Sequence, residues 1–163
     1  MENGLRDLLE RDHAKLDGLL RAAAAGGEID PVVYEEFRAG LLRHIGLEEK
    51  ILLPTVRRLR GGDPLDIARQ LKLDHAALAA LLVPTPTAAI VSTLTSLLAT
   101  HNALEEGPRG MYAACEELTG AATSELLARV RAAPPVPTAA HYDDPRAFAA
   151  IERLLRAAGR TPA

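Results

Sequence analysis

Cysteine occurs once in the 163 residues, tryptophan not at all, and aromatic residues make up only 3%. A single Cys115 excludes an internal disulfide and any CxxC redox or zinc motif, so it reads as a small buried residue. Long apolar runs are also missing: nothing approaches 18 consecutive apolar residues, and the opening MENGLRDLLERDH has no basic head before an apolar stretch. Neither a membrane span nor a signal peptide is expected, and the expected location is the cytoplasm. The formal net charge is −3 with both signs mixed along the chain, which leaves no basic patch for nucleic acid. β-Branched residues are too sparse to fill several strands.

What is present favours helices. Hydrophobic residues make up 48% and charged residues 25%, and Leu, Ala, Arg and Glu are good helix formers. The length suits one main domain with an appended tail. Apolar residues recur at helical spacing through 5-LRDLLERDHAKLDGLLRAAAA-25, and Gly26-Gly27 ends that segment. Asp30-Pro31 is a cap signal for a second, long helix that continues to Gly61-Gly62, with Pro54 expected to bend it or open a gap in its hydrogen bonds. Asp63-Pro64 repeats the signal for a third helix over 65–83, stopped by Pro84 and Pro86. A fourth runs from about Thr87 to about Val130, with a kink expected at Gly107-Pro108.

Short connections make neighbouring helices antiparallel, so the expected fold is all-α: an up-down-up-down four-helix bundle over residues 1–131. A proline-rich connector over 132–144 and a short C-terminal amphipathic helix over 145–158 follow. Phe148, Ile151, Leu154 and Leu155 form the apolar stripe of that helix, to be covered by the bundle or by a second subunit in a homodimer.

The two halves of the chain repeat. The first helix carries 12-DHAKLDGLL-20 and the third 74-DHAALAALL-82; the second carries 44-HIGLEEKILLPTV-56 and the fourth 101-HNALEEGPRGMY-112. With 13 Glu in the chain, two glutamates at +4 and +5 from a given histidine arise by chance roughly once in 150 cases, so finding the pattern twice needs a cause. Residues i and i+4 share a helix face, so His44 with Glu48 and His101 with Glu105 can each point at one place, joined by His13 and His75. These polar groups lie beside leucine stripes, and no basic residue matches them inward; a metal cation removes the cost of burying them.

Six ligands without cysteine are too many for one tetrahedral zinc and fit two metals, with two histidines each and both glutamates bridging. Zinc, manganese and non-haem iron all suit such ligands, and each ion would keep an open position for an oxo or hydroxo bridge or a small ligand. Glu49 and Glu106 lie about 100° further round their helices and are expected in solvent or behind the ligands, although Glu106 could turn inward if the helix distorts at Gly107-Pro108. Asp12 and Asp74 are expected to face solvent, with orientation of a neighbouring ligand as the alternative. Tyr112, nearly two turns beyond Glu105, is expected to pack in the core with a wet hydroxyl, the alternative being that it faces the metals and donates to bound oxygen; His141 is expected on the surface.

At these residues the sequence resembles the haemerythrin-like family, the HHE cation-binding domains. The likeness covers about residues 5 to 118: a histidine in the first helix, HxxxE in the second, a histidine in the third and HxxxE in the fourth. Oxygen-carrying members have a fifth histidine one turn after the third-helix ligand, where this chain has Ala79. Four histidines and two glutamates are similar instead to the repair-of-iron-centres branch, whose di-iron proteins are associated with nitrosative and oxidative stress. The cysteine-bearing N-terminal segment frequent in that branch does not occur here.

The resemblance implies a non-haem di-iron protein, with two iron ions, oxo- or hydroxo-bridged, and zinc or manganese as substitutes, that takes a diatomic or peroxide ligand (dioxygen, nitric oxide or peroxide) in sensing, stress defence or iron-centre repair. Iron storage without turnover, and an interaction module with a vestigial site, are the alternatives.

Overall fold

A computed structural model describes residues 4–163, with the side chain of residue 121 left aside. All regular structure among them is helical: α1 (Leu5–Ala24), α2 (Pro31–Leu47), a π-helical turn (Glu48–Leu52), α3 (Leu53–Leu59), α4 (Ala68–Leu81), α5 (Ala88–Glu106), α6 (Met111–Thr119), a 3₁₀ turn (Gly120–Ala122), α7 (Thr123–Ala132) and α8 (Pro145–Ala157). Helix α1 packs against α2 and α5, α4 against α5 and α8, and α3 against α6.

Side-chain caps operate at three starts, two of them at an Asp-Pro pair. Asp30 accepts from the amides of Val32 and Val33, Thr87 from Ile90, and Asp144 from Arg146, which satisfies amides that have no partner within their own helix. Asp63-Pro64 does not behave as expected. Helix α4 begins later, at Ala68, with no side-chain cap at Ile67.

The second predicted helix does run from Pro31 to Leu59, but with a local change of winding. Ahead of Pro54, the Leu53 amide bonds Glu48 O five residues back. Proline has no N–H to give, and its ring clashes with the carbonyl of residue i−4; a widened π turn accommodates both effects and keeps the helix going. That turn begins at Glu48 and Glu49 themselves.

The fourth predicted helix is interrupted, not merely kinked. Helix α5 ends at Glu106, residues 107–110 turn the chain, and α6 and α7 continue beyond it with Gly120 at φ +44° between them. Gly110 is required by close approach: a Cβ there would lie 2.2 Å from Glu105 O and 2.6 Å from Leu104 O. The stripe of α8 is covered within the chain. Ile151 and Leu155 join the same apolar cluster as Ala77, Leu78 and Leu81 of α4, while Phe148 remains exposed.

Two apolar clusters fill the interior. One contains Leu16, Leu20, Leu41, Leu78 and Leu98; the other contains Leu9, Leu47, Leu71, Met111 and Cys115. The four repeat histidines sit where the chain passes from one cluster to the other: His13 between Leu9 and Leu16, His44 between Leu41 and Leu47, His75 between Leu71 and Leu78, and His101 beyond Leu98. Four helices therefore bring polar side chains to one level, with oil above and below.

Candidate metal centre

All six predicted ligands converge. His13, His44, His75 and His101 are buried, and Glu48 and Glu105 are fully enclosed at 0% exposure. They form two overlapping sets, His13–His44–Glu48–Glu105 and Glu48–His75–His101–Glu105, in each of which one donor atom per residue lies within 4.8 Å of every other. The two glutamates belong to both sets. Glu48 presents Oε1 to His44 Nε2 at 3.1 Å and Oε2 to His75 Nε2 at 3.1 Å; Glu105 presents Oε2 to His13 Nε2 at 3.3 Å and Oε1 to His101 Nε2 at 3.0 Å. Each carboxylate spans from one histidine pair to the other, which is the placement a bridge needs.

These approaches are close but only partly hydrogen bonds. Glu48 Oε2 and Glu105 Oε1 have no aligned donor although an imidazole nitrogen stands about 3 Å from each. A buried, unpaired carboxylate oxygen is costly. Donor groups that approach without bonding to one another are arranged for a third party, and a cation of the kind imidazole and carboxylate ligate fits these atoms.

Each histidine turns its other nitrogen to an acid outside the centre. His44 Nδ1 meets Asp12 Oδ2 at 2.8 Å, His75 Nδ1 meets Glu49 Oε1 at 3.0 Å, His101 Nδ1 meets Asp74 Oδ2 at 3.3 Å, and His13 Nδ1 meets Glu106 Oε1 at 2.6 Å. An ionised carboxylate can only accept, so Nδ1 carries a proton in each ring, and a ring that gives up its second proton turns its Nε2 lone pair into the centre. This carboxylate–histidine pattern is the usual support of a metal-ligating imidazole. The four contacts form a closed ring, since the acid of α1 serves α2, that beside the α2 ligand serves α4, that of α4 serves α5, and that of α5 serves α1.

Asp12 and Asp74 thus do not face solvent as expected, and Glu49 and Glu106 stand behind the ligands. Tyr112 is the other correction, since it is not mere core packing. Its hydroxyl donates to Glu48 Oε1 at 2.8 Å and lies 2.9 Å from His13 Nε2, 3.2 Å from His44 Nε2 and 3.3 Å from Glu105 Oε2. The break at 107–110 redirects the chain so that α6 carries Tyr112 back over the centre. Its place nearly two turns beyond Glu105 is the sequence signal for that position, although the expected kink at Gly107-Pro108 obscures it.

The electrostatics follow from burial opposed by proximity. Burial pushes the His44 imidazolium down, but Glu48 and Asp12 outweigh it and hold the group up at about 10. His75 is likewise held at about 10, against burial, by Glu105 and Glu48, and His101 is raised by Asp74 and Glu105. Burial would raise Glu48 and Glu105, yet the surrounding imidazoles keep both below the usual carboxylate range. Tyr112 is pushed well above its ordinary value by burial and by the two glutamates, so it keeps its proton. Cys115 is buried, as expected, with its thiol pushed up to about 12 by burial and then by Glu48 and Glu116.

A cavity of about 450 Å³ lies between α1, α2 and α5 and reaches His13, His44 and His101. Its apolar wall includes Leu16, Leu20, Leu41 and Leu98, and its acidic lining is Glu10, Asp17 and Glu106. His141 stands apart, half-buried and 3.8 Å from Glu35. None of the described helices is long and apolar enough to cross a membrane. The chain matches no family model, no curated protein and no solved structure.

Proposed function

We propose that this chain is a haemerythrin-like four-helix-bundle protein whose six central residues hold two iron ions, and that it binds or reacts with dioxygen, nitric oxide or peroxide. One observation carries the reading. His75 Nε2 and His101 Nε2 face each other at 3.2 Å while the Nδ1 of each is engaged by a carboxylate. Two neutral imidazoles in that arrangement would oppose lone pair to lone pair, and only a cation between them, a proton or a metal, makes it favourable.

The donor set supports a metal, since four convergent imidazole nitrogens and two spanning carboxylates supply more donors than protons alone would need. His13 and His44 would hold one ion, His75 and His101 the other, with Glu48 and Glu105 shared. Bound iron would supply the redox chemistry or the affinity for a diatomic ligand.

The remaining work falls to this chain's own side chains. The leucine clusters exclude water on both sides of the centre. The cavity between α1, α2 and α5 gives a small neutral molecule a route, while its acidic lining disfavours anions. Tyr112 keeps a proton at its hydroxyl beside the His13–His44 half, where it can donate to Glu48 or to an incoming ligand.

Anaerobic iron titration tests the proposal. Uptake of about two equivalents, lost in His44→Ala and Glu105→Ala, is expected; no uptake by the native chain refutes it. Mixing the loaded protein with dioxygen, nitric oxide and peroxide in turn then separates a reactive centre, which changes its optical spectrum, from a storage site that only releases metal.

A further inference from the structure

The ring of acids around the centre is symmetric in sequence and asymmetric in structure. Asp12 and Asp74 occupy matching places in the two halves, each just ahead of a ligand histidine. The Asp12 side chain is about one-third exposed, and among the described residues its one ion pair is with His44. Asp74 is fully buried and held by three further hydrogen bonds from two side chains: Arg160 Nε to Oδ1 at 3.0 Å, Arg160 Nη2 to Oδ2 at 2.9 Å, and Gln70 Nε2 to Oδ1 at 2.9 Å. Among the described residues, Arg160 is the one Lys or Arg side chain paired with any of the four ring carboxylates.

The guanidinium is itself fixed in place. Helix α8 packs on α4, Gln70 Nε2 also bonds Ala158 O at 2.8 Å, the Arg160 amide bonds Leu155 O at 2.8 Å, and the Ala163 amide bonds Thr93 Oγ1 at 3.1 Å. A planar guanidinium forked onto a carboxylate fixes its orientation as well as its charge. The carboxylate so fixed is the one that holds His101 Nδ1. Without Arg160, Asp74 would be a buried charge with Gln70 and an imidazole as its partners, free to swing away from His101.

We propose that Arg160 is a positioning residue of the metal centre: through Asp74 it orients His101, so that the His75–His101 half depends on the segment after α8 and the His13–His44 half does not. This rests on the metal reading above. It also gives the two halves of a duplicated fold different properties, which their matched ligands alone would not.

Titration of the full chain with cobalt(II), followed by its visible absorption, tests this. The native protein is expected to bind two equivalents. In Arg160→Gln one equivalent should keep its affinity while the other weakens about 10-fold and shifts its absorption, the usual consequence of losing support behind a ligand. Truncation after Gly159 should do the same, Arg160→Lys should restore part of the loss, and Asp74→Asn should weaken the same equivalent.

Arg38→Gln is the structural control. Arg38 ties α2 to Leu82 O and Ala139 O without touching the ring, so its loss should lower the melting temperature and leave cobalt binding unchanged. The inference is overturned if Arg160→Gln binds both equivalents as the native chain does, if it weakens both alike, or if Arg38→Gln reproduces its effect. A native chain that binds no cobalt refutes the metal reading itself, and this inference with it.

Discussion

Two glycines close to the ligands offer a paired test of how tightly the backbone is tied to the centre. Gly110 has an ordinary extended backbone, φ −80° and ψ 177°, so any residue could adopt its conformation. What forbids a side chain is space, since a Cβ would meet Glu105 O at 2.2 Å, Leu104 O at 2.6 Å and Glu105 C at 2.7 Å. Ordinary carbon–oxygen contacts need about 3.2 Å, so Gly110→Ala forces the Glu105 carbonyl or the α6 start to move by about 1 Å. All three obstacles are backbone, which cannot rotate aside, and Glu105 is one of the two residues shared by both ligand sets. Overpacking of this kind costs about 1–3 kcal/mol, or a fall of about 2–12 °C in Tm for a domain of this size. Gly46 lies in α2 between His44 and Glu48 with nothing within 4 Å of its added Cβ; Gly46→Ala should gain about 0.5–1 kcal/mol from helix propensity. Thermal melts of both variants, with metal stoichiometry measured alongside, give the comparison. Gly110→Ala should be the less stable and should lose metal, whereas Gly46→Ala should melt higher and keep two equivalents. If Gly110→Ala melts with the native protein and binds as well, the close approach at the α5–α6 break is not a constraint and the reasoning fails.

Chelated protein should lose stability as pH rises from about 6.5 towards 10, because His44 and His75 are held at about 10 when folded against about 6.5 unfolded. Their contribution is complete below the lower value and gone above the upper one, and metal-loaded protein, with neutral imidazoles, should show no such decline; melts of both forms from pH 6 to 10 decide it, a flat chelated profile counting against the prediction. At pH 7.5 the same two groups are protonated in the chelated state, so loading should release about two protons, read by calorimetry in buffers of different ionisation enthalpy. Tyr112→Phe strips a hydroxyl from Glu48 and His13, and should cost about 1–3 kcal/mol in chelated protein and less in loaded protein, where a cation satisfies the same atoms; equal losses in the two sets of melts would contradict it. Asp30→Ala removes the acceptor for the Val32 and Val33 amides and should cost about 1 kcal/mol in denaturant unfolding with no change in metal uptake.

The six central residues were legible because each helix offers an i,i+4 pair or a lone histidine at a leucine boundary, and the duplication cross-checks every one of them. Caps at Asp30 and Asp144 were legible because an Asp-Pro pair is local chemistry, whereas Thr87 marked a helix start without a cap signal. Asp63 was not, because the same dipeptide here precedes a turn and tertiary packing delays α4 to Ala68. The break at 107–110 was read as a kink because proline and glycine announce a disturbance without giving its size; Gly110 is decided by a carbonyl five residues earlier. Tyr112 was legible only as two alternatives, core packing or a place at the centre, because its direction depends on the path the chain takes after the break. Arg160 lies 86 residues from Asp74 in sequence, and no local pattern links them.

The ring of acids explains why four of the six ligands, His13, Glu48, His75 and Glu105, have an acidic neighbour in sequence. Adjacent residues on a helix point about 100° apart, so when Glu48 or Glu105 faces the centre, Glu49 or Glu106 faces sideways toward the next helix, where an Nδ1 waits. Asp12 and Asp74 do the same from the other side of His13 and His75. The partner is never the adjacent histidine: Asp12 bonds His44, Glu49 bonds His75, Asp74 bonds His101 and Glu106 bonds His13. A pairing within one helix would orient a ring against its own backbone, whereas pairing across helices makes each imidazole's direction depend on the spacing between two helices. Moving any of the four acids by a single position would swing it about 100° and open the ring, which is why the Asp-His and Glu-Glu pairs sit side by side in both halves of the chain.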